Sequence, residues 1–276
     1  MEWTEQFDLS LDFPETVDAS IKYAICSTPR SGSHFLGQLL YGTGLMGCPL
    51  EYFQGKNLLR WQERASAAGA GDLVRFLLSI RTSPNGCFGL KAHFPQLRAL
   101  RQHIPLNDFL SGFAHVQIVR RDLLAQAISF ERARQTDEWI SRTSTSGRTA
   151  AYDRGRIRHC LIEVARQNAS WEHLFHAFGL RRLVVEYESL AADPPRVVRE
   201  VAAFVGVEMP ADAAIPGPRT TPQRDGESES WRDRFLAEMR RESSWAGVDV
   251  LQHAVPTPPR PASPTWKRWL QTALWH

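Results

Sequence analysis

Apolar residues along this chain fall into short solid runs and longer spaced stripes, and the two alternate. Tyr23-Ala24-Ile25-Cys26 is a solid run, which predicts a short buried strand. Turn formers follow in Ser27-Thr28-Pro29-Arg30-Ser31-Gly32-Ser33. From His34 to Tyr41 the apolar positions have helical spacing. Residues 42–47 end that helix, and Cys48-Pro49-Leu50-Glu51-Tyr52-Phe53 reads as a loop. Residues 61–80 predict helix with a glycine-rich break around Gly69 to Gly71. Solid runs at 86–93, 113–119 and 183–186 predict three more strands, and stripes at 123–135, 157–178 and 195–205 three more helices. Residues 143–149 are small and polar and predict a mobile loop. Strand, glycine-containing loop and helix, in that order, open an α/β nucleotide-binding fold. No internal repeat is visible. Residues 1–20 are polar and acidic and read as a lead-in, 21–253 as the domain, and 254–276 as a tail. Residues 256–264 of the tail are proline-rich and extended. Beyond them Trp266, Trp269, Leu270, Ala273 and Leu274 share one helical face, suited to a membrane surface or to packing on a protein.

Composition narrows the class. Of 276 residues, 43% are hydrophobic and 23% charged, which is globular and excludes long-range disorder. Net charge is only +3, so wholesale nucleic-acid binding is not indicated. Only four of the 33 basic residues are lysine, and arginine suits bidentate anion recognition. Cys26, Cys48, Cys87 and Cys160 form no CxxC pair and no zinc spacing, so neither a metal site nor a disulfide framework is expected. No apolar run reaches eighteen residues and the start lacks a signal-peptide core, so the expectation is a soluble cytoplasmic protein.

The first loop carries the clearest chemistry. Several backbone N–H groups of residues 27–33 converge before a helix N-terminus, where orphan amides and the helix dipole favour phosphate or sulfate. Arg30 adds a fixed positive charge, and Ser31 and Ser33 offer hydroxyls. A simple turn with an N-cap serine is the plainer alternative. No GxxxxGK[ST] motif is present, which weakens an ATP-dependent reading.

Thr28-Pro29-Arg30-Ser31-Gly32-Ser33-His34-Phe35-Leu36 resembles the 5′-phosphosulfate loop of sulfotransferases, which use 3′-phosphoadenosine 5′-phosphosulfate (PAPS) and release the bisphosphate PAP. The continuation Thr43-Gly44-Leu45-Met46-Gly47-Cys48-Pro49-Leu50-Glu51-Tyr52-Phe53 is similar to the bacterial trehalose 2-sulfotransferase family. His34 is a departure, since that family usually has threonine there; imidazole can also donate. A PAPS user needs a second anion site. Val119-Arg120-Arg121-Asp122-Leu123-Leu124-Ala125-Gln126-Ala127-Ile128-Ser129 resembles the family's 3′-phosphate motif, with Arg120 and Ser129 as the clamp. Taken alone, such an Arg and Ser pair is usually structural. Tyr187-Glu188-Ser189-Leu190-Ala191-Ala192-Asp193-Pro194 looks like a widespread, largely structural sulfotransferase segment. Arg224-Asp225-Gly226 is similar to the segment that closes over the cofactor's 3′ end, with Asp225 replacing a lysine; the alternative is a solvated loop. Trp171 falls where the family places an aromatic near the adenine, although a lone helical tryptophan is more often core.

The resemblance implies a single α/β domain of the P-loop-like sulfotransferase fold, with a central, mainly parallel sheet and helices on both faces. It implies sulfuryl transfer from PAPS to a hydroxyl of a carbohydrate or glycolipid, and it allows a homodimer. In-line displacement at sulfur needs a base for the acceptor proton and cationic donors for the leaving phosphate. Two bases compete. Glu51 matches the carboxylate assigned that role in the trehalose family. His93, in Lys91-Ala92-His93-Phe94-Pro95, matches the histidine base of cytosolic sulfotransferases, and shares a strand face with Lys91. Lys91 and Arg30 would stabilise the leaving phosphate. The acceptor pocket would come from residues 54–83 and 135–151. A nucleotide kinase and a non-catalytic PAP-binding protein are the alternatives.

Overall fold

Strand β1, Ile21–Ser27, is the centre of the molecule, and its alternation sorts the rest. Tyr23 and Ile25 point to one side, Ala24 and Cys26 to the other, and all four are fully buried. A strand buried on both faces belongs inside a parallel sheet covered by helices. In this computed structural model, which describes residues 6–139, 148–215 and 226–242, that is its position. Strand β2, Cys87–His93, pairs with it on one side and β3, Ala114–Val119, on the other; β4, Arg182–Glu186, follows β3. The order is β2-β1-β3-β4 and every pairing is parallel.

Parallel neighbours need crossovers, and helices supply them. On the Tyr23 and Ile25 side, α1 (Ser33–Gly42) contributes Leu36, Leu39 and Leu40 to one core. On the Ala24 and Cys26 side, α2 (Gly55–Ala67) contributes Trp61, and α3 (Leu73–Arg81) contributes Phe76 and Leu77. Two short helices follow β2, α4 (Leu97–Leu100) and α5 (Leu106–Gly112). After β3 come α6 (Leu123–Thr136) and α7 (Arg154–Ala177), whose Trp171 and Phe175 join the second core. Helices α8 (Tyr187–Ala192) and α9 (Pro194–Val205) follow β4, and Val197, Val198 and Val201 of α9 join the first core. The sheet is thus covered on both faces. The last described helix is α10, Gly226–Arg240.

The chain divides into two compact units, residues 1–235 and 236–276. The fold is that of the first; of the second only residues 236–242 are described, as the end of α10 and the turn after it. Residues 143–147 of the loop predicted at 143–149 and the tail at 254–276 lie outside the described residues. Among the described residues no helix is long and apolar enough to cross a membrane.

Three local differences from the pattern have plain causes. The helix expected from residue 61 starts at Gly55, because the Gln54 side chain accepts from the Asn57 N–H and caps it. Its glycine break separates α2 from α3, with Gly69 at φ +71° and Asp72 capping the second helix. The lead-in is part of the core: Leu11 is fully buried, and Asp12 pairs with Arg64 and with the buried Arg81 at 3.0 Å.

Candidate active site

Parallel strands end at one edge of the sheet, and ligands of open α/β sheets bind beyond that edge. The residues of interest leave the carboxyl ends of β1, β2, β3 and β4. The loop after β1 turns sharply, with Arg30 at φ +62° and Gly32 at φ +92°. Gly32 ends the loop as the N-cap of α1. A Cβ there would lie 2.4 Å from Tyr187 Cδ2, so only glycine lets the loop lie against that ring. Ser31 is fully buried, and its hydroxyl has no hydrogen-bond partner. Gln126 of α6 holds the loop from outside, donating to Thr28 Oγ1 at 2.8 Å and to the Pro29 carbonyl at 2.6 Å. A rigid loop with an unpartnered hydroxyl at a ten-residue helix's N-terminus fits an anionic group.

Arg30 donates through Nε to Ser129 Oγ at 2.9 Å and through Nη1 to the Trp139 carbonyl. Burial and the Arg120 charge pull its pKa down to about 10. Like charges gathered in one place disfavour each other and favour an anion between them. Arg120 follows β3, and its guanidinium lies over the Tyr187 ring, 4.9 Å from the centroid. Tyr187 therefore touches both the first loop at Gly32 and the arginine of the second. Glu188 accepts from the N–H groups of Arg121 and Asp122 at 3.2 and 3.4 Å, which sets the turn that carries Arg120. Asp122 caps α6 and pairs with Arg232 of α10 at 2.7 Å.

Across the edge lies a second cluster. The segment before α2 runs beside β2, since Leu50 bridges to Leu90 and its carbonyl accepts from the Lys91 N–H at 2.9 Å. That register aims Glu51 at the side chains of β2. Its Oε1 lies 2.7 Å from Lys91 Nζ, 3.5 Å from His34 Nε2 and 3.6 Å from His93 Nε2. Oε2 accepts from Gln96 Nε2 at 2.7 Å. The Gln96 amide is itself oriented, because its Oε1 accepts from the His93 N–H at 3.0 Å. His93 Nδ1 lies 2.9 Å from Ser27 Oγ, a contact that the pairing of Ser27 with His93 in the sheet register makes possible.

Charge states follow from this packing. Burial alone would raise the Glu51 carboxyl, but the Lys91 ammonium, then His93 and His34, hold it well below the usual carboxylate range. Burial pulls Lys91 down, and Glu51 offsets part of that. Burial, with the Lys91 charge, also holds both imidazoles below their ordinary range. At neutral pH the cluster is an ionised glutamate and a charged lysine flanked by two neutral histidines.

The structure thus brings Glu51, Lys91, His93 and His34 together, with Arg30, Ser31, Gly32 and Ser33 in the adjoining loop. Ser129 accepts from Arg30 Nε. His34 faces Glu51 rather than the loop's own hydroxyls. Gly226 opens α10, whose next residues Glu227 and Ser228 meet Arg132 at 2.8 and 2.5 Å. Arg224 lies outside the described residues. Trp171 is corrected: it has no exposed surface, donates to the Ser27 carbonyl at 2.9 Å and stacks on Phe175, so it offers an adenine no face. Its work is to fix the end of β1. Residues 54–83, expected to form acceptor loops, are largely α2 and α3. Among the described residues no group of acidic, histidine or cysteine side chains is placed to hold a metal ion. Gln96 drew no role from the sequence. Ser27 stood at the start of the first loop, and Gln126 and Tyr187 each stood inside a recognised motif, the signals available for the supporting residues.

A loop with an unpartnered buried hydroxyl on one side of the sheet edge and an ionised carboxylate on the other is an arrangement suited to an α/β enzyme that transfers an anionic group. The family is more definite: the Stf0 sulphotransferase model matches residues 22–238, and the chain belongs to that family. It is similar to the trehalose 2-sulfotransferase of Mycobacterium tuberculosis, 28% identical over 260 residues that cover 79% of this chain and 96% of that protein. The enzyme of the same name from Mycolicibacterium smegmatis is 26% identical over 264 residues, covering 82% and 98%. Among solved structures, the sulfotransferase domain of a Synechococcus olefin synthase is 17% identical with a TM-score of 0.46, covering 87% of this chain and 98% of that one. Family membership sets aside the nucleotide-kinase alternative.

Proposed function

We propose that this sulfotransferase moves a sulfuryl group from PAPS to a hydroxyl of a carbohydrate acceptor, with Glu51 as general base. The observation that carries the assignment of the base is the crowding of Glu51 Oε1 by Lys91, His34 and His93, beside the loop that would hold the donor. His93 is the lesser candidate, because its Nδ1 side is engaged by Ser27 and its Nε2 faces the carboxylate. It orients Glu51. The Ser31 to Ser33 loop and the backbone N–H groups at the start of α1 would hold the 5′ end of PAPS, and Arg120 the 3′-phosphate, with Arg30 close to both. The family resemblance and the relatives named for trehalose support a sugar acceptor. A homodimer and a cytoplasmic setting accompany the same reading.

In the reaction a bond forms between the acceptor oxygen and sulfur while the bond from sulfur to the bridging phosphate oxygen breaks. The acceptor proton passes to Glu51, and the electron pair leaves with the phosphate. Lys91 and Arg30 offset the charge that develops there. Before donor binding Lys91 is paired with Glu51, which lowers the carboxylate's basicity. Turning the ammonium toward the leaving phosphate restores that basicity at the moment it is used.

Calorimetric titration with PAP, alongside ATP with magnesium, tests the donor. Wild type binds PAP. Arg30→Ala and Arg120→Ala each weaken it roughly 10- to 150-fold, as expected for loss of a charged contact of about 1.5–3 kcal/mol. Binding of ATP with magnesium and none of PAP would overturn the proposal.

A further inference from the structure

Position 34 was expected to donate to the phosphosulfate, and its geometry points elsewhere. His34 is the second residue of α1, and 38% of its side chain is exposed, against 13% for Glu51 and 1% for Lys91. Its Nε2 lies 3.5 Å from the base oxygen that Lys91 also holds. Resting on the assignment of Glu51 as base, we propose that His34 is a positioning residue that holds this carboxylate in line when Lys91 turns to the leaving phosphate.

A carboxylate that loses its 2.7 Å ammonium partner is free to swing unless other donors hold it. Gln96 fixes Oε2 from the turn after β2. Oε1 is left with His93, braced on β1 through Ser27, and with His34, carried by the donor helix. The two imidazoles approach from different elements, so together they define a direction that neither defines alone. A neutral N–H orients an anion through a weaker interaction than a cation does, and so suppresses its basicity less. The charged and titratable groups around the carboxylate are Lys91 and His93 of β2 and His34 of α1, with the Arg30 charge acting on His34 and Lys91. Because His34 rides on the helix whose N-terminus would hold the donor, seating of the donor and alignment of the base share one rigid element.

The test uses His34→Ala and His34→Asn in the full chain. PAP affinity is read by calorimetry, and labelled-PAPS transfer to trehalose, or to the sugar that an acceptor screen identifies, is followed against pH. The expected result is PAP affinity within about twofold of wild type, with kcat reduced at least tenfold in His34→Ala. The acid limb of its kcat profile moves to higher pH, since one of the groups that hold the carboxyl low is gone. His34→Asn, which keeps an N–H donor, recovers part of both effects. A tenfold loss of PAP affinity with kcat unchanged would make His34 a donor contact and overturn the proposal. Unchanged kcat and pH profile would overturn it equally. A wild-type chain that binds no PAP refutes the underlying function, and is distinguished from these outcomes by the first titration alone.

Discussion

Lys91→Met removes the charge that dominates the cluster while keeping nearly the same length and shape. Lys91 is 1% exposed and Glu51 13%, so the substitution leaves a mostly buried carboxylate without its cation. Breaking a buried pair from one side costs about 3–5 kcal/mol. Gln96 still holds Oε2, so the low end, about 3 kcal/mol at pH 7.5, is the expected loss. The pH dependence has a definite sign. In wild type the folded Glu51 pKa lies below its unfolded value of about 4.3, so the pair's contribution is complete above that pH and is lost only as pH falls through the folded value. Between pH 7.5 and 5.5 this carboxylate therefore leaves wild-type stability unchanged. In the variant the ammonium no longer outweighs the effect of burial on the carboxyl, and the charge that depresses both imidazoles is gone. The folded variant then accepts an extra proton on acidification. Each such proton narrows the deficit by up to about 1.4 kcal/mol per pH unit. Urea unfolding of both proteins at pH 7.5 and 5.5 should show the deficit shrinking to about 1–2 kcal/mol. A deficit that is absent at pH 7.5, or constant across the range, would refute the reasoning.

Two further outcomes follow from the same geometry. Gly32→Ala places a side chain at φ +92° and 2.4 Å from the Tyr187 ring; it should lose about 1–3 kcal/mol from backbone strain alone and abolish PAP binding, read by thermal melting and calorimetry. Melting and PAP affinity both equal to wild type would mean that the loop does not depend on that contact. Gln96→Leu removes the hydrogen bond that Gln96 donates to Glu51 Oε2, so kcat should fall by about fivefold, the equivalent of one hydrogen bond of about 1 kcal/mol, while PAP affinity holds. Loss of PAP affinity without loss of kcat would place Gln96 on the donor side instead.

Much of the site was legible because its signals are local. The loop from Thr28 to Ser33, the segment ending at Glu51 and the alternation of Lys91 with His93 each occupy one stretch of chain, where spacing alone sets who faces whom. The contacts that favour Glu51 over His93 were not legible, since they depend on the bridge between Leu50 and Leu90 and on the register that sets Ser27 beside His93. The supporting contacts are longer in range still. Gln96 reaches back 45 residues to Glu51, and Gln126 reaches back 98 to Thr28. Tyr187 touches Gly32 only because the chain leaving β4 brings its ring against the first loop. The same limit applies to the fold. Strands showed as solid apolar runs, whereas α10 buries only Trp231 and Phe235 and gives little pattern to read. Trp171 misled for the opposite reason: an aromatic on a helix looks alike from the sequence whether it faces a ligand or the core, and here it closes the core beneath β1.

Transfer from labelled PAPS by wild type and Glu51→Gln tests whether Glu51 takes the acceptor proton while the loops after β1 and β3 hold the donor. The expected result is a loss of roughly 100- to 10,000-fold in kcat, the usual worth of a general base, with PAP affinity in the Glu51→Gln protein equal to or tighter than wild type because Lys91 is no longer engaged. Transfer by Glu51→Gln at the wild-type rate, with its abolition in His93→Ala, would move the base to the histidine.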